Sequence, residues 1–234
     1  MPSRDLPGCG DVTSAIGLTD EQFADGATEQ LPDDAVETGT TVVALSTDDA
    51  VVLGADRRAS LGGRFVSNKR VMKVEQVHPT AAMALSGAVG HIQSFTRSMR
   101  AESNLYESRR GERMSMEALS TLAGNVLRGA PLYVTPVLGG VDAEGPHVYE
   151  LDGGGGVMDD EYAAAGSGMQ LAYGVLEREY DPDASVEEAA GAAARAIESA
   201  SERDTASGNG LTLATITEEG VEIDEHDEYT EVTA

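Results

Sequence analysis

Thr40 could do chemistry with little outside help. It stands in Val36-Glu37-Thr38-Gly39-Thr40-Thr41-Val42-Val43-Ala44-Leu45, where a glycine precedes two hydroxyls and an apolar, β-branched run. If the Gly39–Thr40 bond were cut, Thr40 would carry a hydroxyl nucleophile and a free α-amino group, whose unperturbed pKa is about 7.7–8.0. Such an amine can take the hydroxyl proton near neutral pH, so no catalytic histidine is required. Farther on, Ala55-Asp56-Arg57-Arg58 closes a second β-rich run with a carboxylate, and Lys73 lies between Met72 and Val74. A buried ammonium needs a counter-charge, which Asp56 could supply. Beside Thr40, that ammonium would lower the pKa of both amine and hydroxyl. An ordinary ion pair at a strand edge is the competing reading.

Other signatures are missing. Around Ser167 the chain reads Ala165-Gly166-Ser167-Gly168-Met169, out of frame for the G-x-S-x-G nucleophile elbow. His78, His91, His147 and His226 lack metal-ligand spacing, so neither a metal nor a cofactor is expected. The glycines at 153–156 are not followed by Gly-Lys-Ser/Thr and read as a turn. Arg203-Asp204-Thr205-Ala206-Ser207-Gly208 sets an acid and two hydroxyls at a helix-to-strand junction, which is also ordinary composition for a helix end.

The elements that must position these residues follow from periodicity. Residues 1–39 hold nine acidic residues and one basic, with no sustained period, and are expected to be a weakly ordered leader. From residue 40 onward a packed domain is expected. Short β-rich runs at 40–47 and 50–56 read as a hairpin about Asp48-Asp49, with strands at 64–67, 71–77 and 80–86. The period then changes to about 3.6, giving helices at 88–109 and 115–128. Strands return at 133–141, 146–151 and 157–164. Helices at 168–180 and 185–202 follow, each opening on a capping-box pattern, Ser167-x-x-Gln170 and Ser185-x-x-Glu188. Strands at 210–217 and 220–224 precede an acidic tail. Strands, two helices, strands, two helices, strands is an α+β order in which two sheets can stack with helix pairs outside.

Composition narrows the class. The 234 residues with 41% hydrophobic content suit one domain of ordinary size. Sixteen basic residues against 41 acidic ones give a formal charge of −25, which would repel nucleic acid and anionic membranes. Only Lys69 and Lys73 are lysines, and carboxylate excess with so little lysine reads as adaptation to a salty cytoplasm, where screening suppresses self-repulsion. The single cysteine, Cys9, forms no intrachain disulfide, and neither a signal peptide nor an 18-residue apolar run is present; a cytoplasmic protein is expected.

Taken together, these pieces resemble the archaeal-type proteasome β subunits, members of the N-terminal nucleophile hydrolases. The resemblance spans 40–234 and rests on Gly39-Thr40-Thr41, Ala55-Asp56-Arg57-Arg58, Val71-Met72-Lys73-Val74, Ser86-Gly87-Ala88-Val89-Gly90, Gly166-Ser167-Gly168 and Arg203-Asp204-Thr205-Ala206-Ser207-Gly208. It implies a four-layer αββα sandwich. It also implies a threonine endopeptidase matured by autocatalytic removal of residues 1–39, with Thr40 as nucleophile, its amine as proton acceptor, and Asp56 and Lys73 as a supporting ion pair. Gly87 would offer a backbone N–H to the oxyanion, while Ser167, Asp204 and Ser207 would surround the amine; Ser167 could equally be only a helix N-cap. Ala59, Val71, Leu85 and Val89 match positions lining the family's substrate pocket, implying cleavage after apolar residues. Glu75 near the same wall could favour a basic one instead. Family members form seven-membered β rings flanked by α-subunit rings and served by a regulatory ATPase that unfolds protein substrates. Val42, Ala44, Thr205 and an extra residue at Gly62-Gly63 depart from the usual pattern without removing a catalytic group. Two other readings stay open: a non-catalytic ring scaffold, and an N-terminal nucleophile amidohydrolase of small amides.

Overall fold

The computed structural model describes residues 37–130 and 132–233, so all but the last three residues of the expected leader lie outside the described residues. In chain order the elements begin with β1 (Glu37–Thr38), β2 (Thr41–Ser46), β3 (Val51–Asp56), β4 (Ala59–Leu61), β5 (Phe65–Asn68), β6 (Val74–His78) and β7 (Ala81–Ala88). Next come α1 (Val89–Arg110), α2 (Met116–Gly129), β8 (Val134–Asp142), β9 (Gly145–Leu151), β10 (Val157–Asp160) and β11 (Tyr162–Gly166). The chain continues through α3 (Met169–Glu179), α4 (Val186–Ser201), β12 (Leu211–Thr217), β13 (Gly220–His226) and α5 (Thr230–Thr233).

One sheet runs β1-β7-β8-β9-β10, with β6 also on β7; the other runs β11-β2-β3-β12-β13; β4 and β5 form a separate hairpin. Strand alternation builds three apolar layers from these sheets. Val42 and Ala44 of β2 face inward with Ala82 and Ala84 of β7, forming the core between the sheets. The intervening Val43 and Leu45 face α3 and α4. Met83 and Leu85 face Phe95 and Met99 of α1 and Leu119 of α2. The order is therefore helices, sheet, sheet, helices: the α+β class read from the element order and the four-layer αββα arrangement that the resemblance implied.

Local signals explain most boundaries. Ser185 caps α4 in a complete capping box with Glu188, as its spacing predicts. The matching expectation for Ser167 is wrong, because α3 starts from Gly168 with no side-chain cap. The Ser167 hydroxyl is taken up elsewhere, by Thr40 and Asp204. The run 157–164 is also not one strand. It breaks at Glu161, leaving β10 on one sheet and β11 on the other, paired antiparallel with β2. The β4 segment and the short α5 were not expected, and residues 71–73 precede β6 rather than belonging to it. Among the described residues, no helix is long and apolar enough to cross a membrane.

Candidate active site

The end of β3 delivers Asp56 into the interior with no exposed surface. Both carboxylate oxygens are doubly engaged. Oδ1 accepts from the Thr41 N–H at 2.9 Å and from Lys73 Nζ at 2.8 Å. Oδ2 accepts from the Arg58 N–H at 3.0 Å and the Gly208 N–H at 2.9 Å. Lys73, 2% exposed, enters from the link between β5 and β6. Burial pushes the Asp56 carboxyl above its ordinary 3.8 and the Lys73 ammonium below its ordinary 10.5, and the partner's charge opposes each shift. Lys73 also reaches the Gly39 carbonyl oxygen, at 3.5 Å. The ammonium thus joins the anchored carboxylate to the carbonyl of the Gly39–Thr40 peptide.

A loop from β11 and another after α4 close round Thr40, which is fully buried. The Thr40 N–H donates to Ser167 Oγ at 3.1 Å. Asp204 Oδ2 accepts hydroxyls from both Ser167 and Ser207 at 2.6 Å, and its Oδ1 accepts the Ala206 N–H at 3.1 Å. Ser207 Oγ lies 2.8 Å from Thr41 Oγ1. Gly166, at φ +93°, explains how the first loop comes so close: a Cβ there would stand 2.0 Å from the Thr40 carbonyl oxygen. The structure therefore gathers Thr40, Asp56, Lys73, Ser167, Asp204 and Ser207 into one hydrogen-bonded group.

Gly87 is the next-to-last residue of β7, at φ +133°, where a Cβ would lie 2.1 Å from the Tyr133 carbonyl oxygen. Strand β6 pairs with β7 only as far as Ala84, and beyond it β1 takes up the edge, setting Glu37 opposite Ala88 and Thr38 opposite Gly87. An extended segment leading to Gly39–Thr40 is thus held on a sheet edge, as a peptide would be by strand addition. The four expected pocket residues lie on segments bordering this edge: Ala59 opens β4, Val71 donates its N–H to the Arg57 carbonyl, Leu85 is on β7 and Val89 opens α1. Ala59 and Leu85 are buried, the latter in the layer beneath α1. Glu75 is not left to attract a basic side chain: Arg100 of α1 holds it at 2.7 Å while bonding the Gln76 carbonyl at 2.7 Å.

Two contributors escaped the sequence reading. Arg58 donates to Thr205 O and Asn209 Oδ1, both at 3.0 Å, bracing the loop that carries Asp204 and Ser207. Thr41, expected to be only a strand residue, supplies the N–H that orients Asp56 and a hydroxyl for Ser207. Both stand inside named motifs, but their partners lie 15 to 166 positions away. Among the described residues no cluster of three or more His, Cys, Asp or Glu is arranged to hold a metal ion.

Comparison with known proteins places this geometry. Residues 36–216 match the family described as proteasome subunit. The chain is 62% identical over 194 residues to proteasome subunit beta 2 of Haloterrigena turkmenica, covering 82% of each chain. It is 62% identical over 193 residues to proteasome subunit beta of Halorhabdus utahensis, again covering 82% of each. The proteasome subunit beta of Natrialba magadii is 60% identical over 201 residues, 86% of this chain and 83% of that one. A match across most of the chain, on a four-layer αββα frame, shows that this chain belongs to the proteasome subunit family and is of the archaeal β type.

Proposed function

We propose that this β subunit is a threonine endopeptidase, made as a precursor that cuts its own Gly39–Thr40 bond. The observation that carries the reading is the line from Asp56 through Lys73 Nζ to the Gly39 carbonyl oxygen, with Thr40 next in the chain. In self-cleavage, Thr40 Oγ1 attacks the Gly39 carbonyl carbon and the hydroxyl proton leaves. The Thr40 nitrogen is then still an amide and a poor base. The hydroxyl proton passes to that nitrogen as the C–N bond weakens, while the Lys73 ammonium, held by Asp56, donates to the reacting carbonyl oxygen and steadies the charge developing there. The C–N bond breaks as the nitrogen gains a proton, leaving an ester on Thr40 Oγ1. Water hydrolyses that ester to a Gly39 carboxylate and restores the hydroxyl, now beside a free amine.

On a substrate the same steps recur, with the amine as proton acceptor. Its nitrogen starts beside Ser167, whose hydroxyl is in turn fixed by Asp204. The substrate strand takes the place of β1 on β7, and the Gly87 N–H serves the tetrahedral oxyanion, a contribution ordinarily worth 10²–10³ in kcat. Ala59, Val71, Leu85 and Val89 favour an apolar residue before the cut, and the Arg100-bound Glu75 does not redirect that choice. The chain works in a seven-membered β ring between α-subunit rings, in the cytoplasm, on unfolded proteins delivered by a regulatory ATPase. A Thr40→Ala chain tests the proposal: it should keep residues 1–39 and hydrolyse no peptide. Normal peptide hydrolysis by that variant would remove Thr40 from the mechanism.

A further inference from the structure

The loop that carries Asp204 and Ser207 is held from two sides. On the side of the Gly39–Thr40 peptide, Ala206 packs so closely on Gly39 that a Cβ on the glycine would clash with its own. Asp204 there binds the hydroxyls of Ser167 and Ser207. Thr205, between them, is engaged on the other side. Its hydroxyl donates to the Gly63 carbonyl at 3.0 Å, and its own carbonyl accepts from Arg58 Nη1 at 3.0 Å. Gly63 lies at the tip of the β4–β5 hairpin. Gly62 at φ +54° and Gly63 at φ +67° turn the chain there, and the Arg64 N–H closes the turn on the Leu61 carbonyl at 3.0 Å. Two successive left-handed residues make a tight hairpin turn, which glycine adopts without strain. Thr205 and Gly62-Gly63, two of the places where the sequence departs from the usual pattern, thus meet in one hydrogen bond.

We propose that Thr205 is a positioning residue: through its hydroxyl the hairpin tip holds the loop, keeping Asp204 on Ser167 and so the Thr40 nitrogen in place. This rests on Thr40 as the nucleophile, as proposed above, and adds a residue to its support. Thr205 stands between Asp204 and Ala206, so a shift of its backbone moves both neighbours. Asp204 is joined to the Thr40 nitrogen only through Ser167, by two hydrogen bonds in series, and a small displacement lengthens them. Threonine suits the task because its branched Cβ restricts χ1 and narrows the directions of the hydroxyl. Of the charged groups round the freed amine, Asp204 alone rides on this loop; Lys73, Asp56 and Arg58 come from other segments. A carboxylate favours the protonated amine, so a loop that recedes leaves the amine with a lower proton affinity.

The test uses the full chain, produced in its source cells and isolated with whatever it assembles with, its active sites counted with a covalent inhibitor directed at amino-terminal threonine. kcat and KM on a short peptide are followed down the acidic limb of the pH profile, which reports the group that must be unprotonated. Thr205→Val keeps the side-chain shape and removes the hydroxyl. Its kcat per site should fall roughly 2- to 10-fold, the effect of one ordinary hydrogen bond, with KM unchanged and the acidic limb moved to lower pH. Thr205→Ser returns the hydroxyl and should recover both kcat and the limb. Gly63→Val cannot keep φ +67°, and should reproduce the loss of kcat while adding nothing to Thr205→Val. An unchanged kcat or an unmoved limb in Thr205→Val would overturn the proposal. So would a loss expressed in KM, a serine variant as slow as the valine one, or a further loss on combining Gly63→Val with Thr205→Val. Thr40→Ala separates the two readings: if it hydrolyses peptides, the nucleophile reading falls and this proposal with it, whereas an inactive Thr40→Ala beside an unimpaired Thr205→Val overturns the role of Thr205 alone.

Discussion

Replacing Gly39 by alanine probes the fit of the cleavage segment directly. An added Cβ would lie 1.9 Å from the Ala206 Cβ, with Ser167 Oγ at 3.1 Å and Ala206 Cα at 3.3 Å. Carbon atoms in contact settle at about 3.5–4.0 Å, so one side must yield by roughly 2 Å. Ala206 is poorly placed to yield, because its N–H is bound to Asp204, which also holds Ser167 and Ser207. Movement therefore falls on β1 and carries the Gly39 carbonyl away from Lys73. A displacement of about 1 Å can cost 10²-fold in a positioned reaction, so leader removal in Gly39→Ala should slow by at least about 100-fold. Intact mass at intervals after synthesis reads the rate. Adding Ala206→Gly removes the offending Cβ and should recover most of the loss. Processing of Gly39→Ala at the unsubstituted rate, or a double variant as slow as the single, would refute the steric argument.

Other outcomes follow from the same geometry. Lys73→Met leaves the Asp56 charge buried without its counter-ion and should lower stability by about 3–5 kcal/mol in chemical unfolding; Lys73→Met with Asp56→Asn should regain stability but not peptidase activity. Gly87→Ala drives a Cβ toward the Tyr133 carbonyl and should reduce kcat on peptides by about 10²–10³ if the neighbouring N–H serves the oxyanion. Stability should fall in mild acid. Burial holds the His78 ring below its ordinary 6.5, with nearby Glu107 opposing, Arg113 reinforcing and Asp142 opposing that shift. The unfolded chain therefore binds more protons than the folded one just below pH 6.5, and stability present above that value is lost as pH falls toward the folded value. Tm measured from pH 7 to 5 should decline, and His78→Gln should flatten the decline.

The sequence made some parts legible because their causes are local. The near-continuous apolar runs in 41–46 and 51–56 record that both faces of these strands are covered, and Ser185 with Glu188 encodes its own helix start. Lys73 was readable for another reason: a lysine in an apolar stretch of a chain with almost none implies a buried partner, and Asp56 stands 2.8 Å away. Ser167 shows the opposite case. Its spacing to Gln170 satisfies a capping rule, yet hydrogen bonds to residues 127 and 37 positions away use the hydroxyl instead. The break at Glu161 was invisible because β10 and β11 both read as strand; only the distant pairings with β9 and β2 separate them. The fate of Glu75 likewise depended on Arg100, placed by the packing of α1 on β6.

The central claim is that Thr40, freed at its amino group, is the nucleophile. Intact-mass and peptide-level mass spectrometry of the assembled particle, after treatment with a covalent inhibitor directed at amino-terminal threonine, tests it most directly. The account predicts a chain that begins at Thr40 and carries one inhibitor adduct on that residue. A chain that still begins at Met1, or an adduct on another residue, would contradict it.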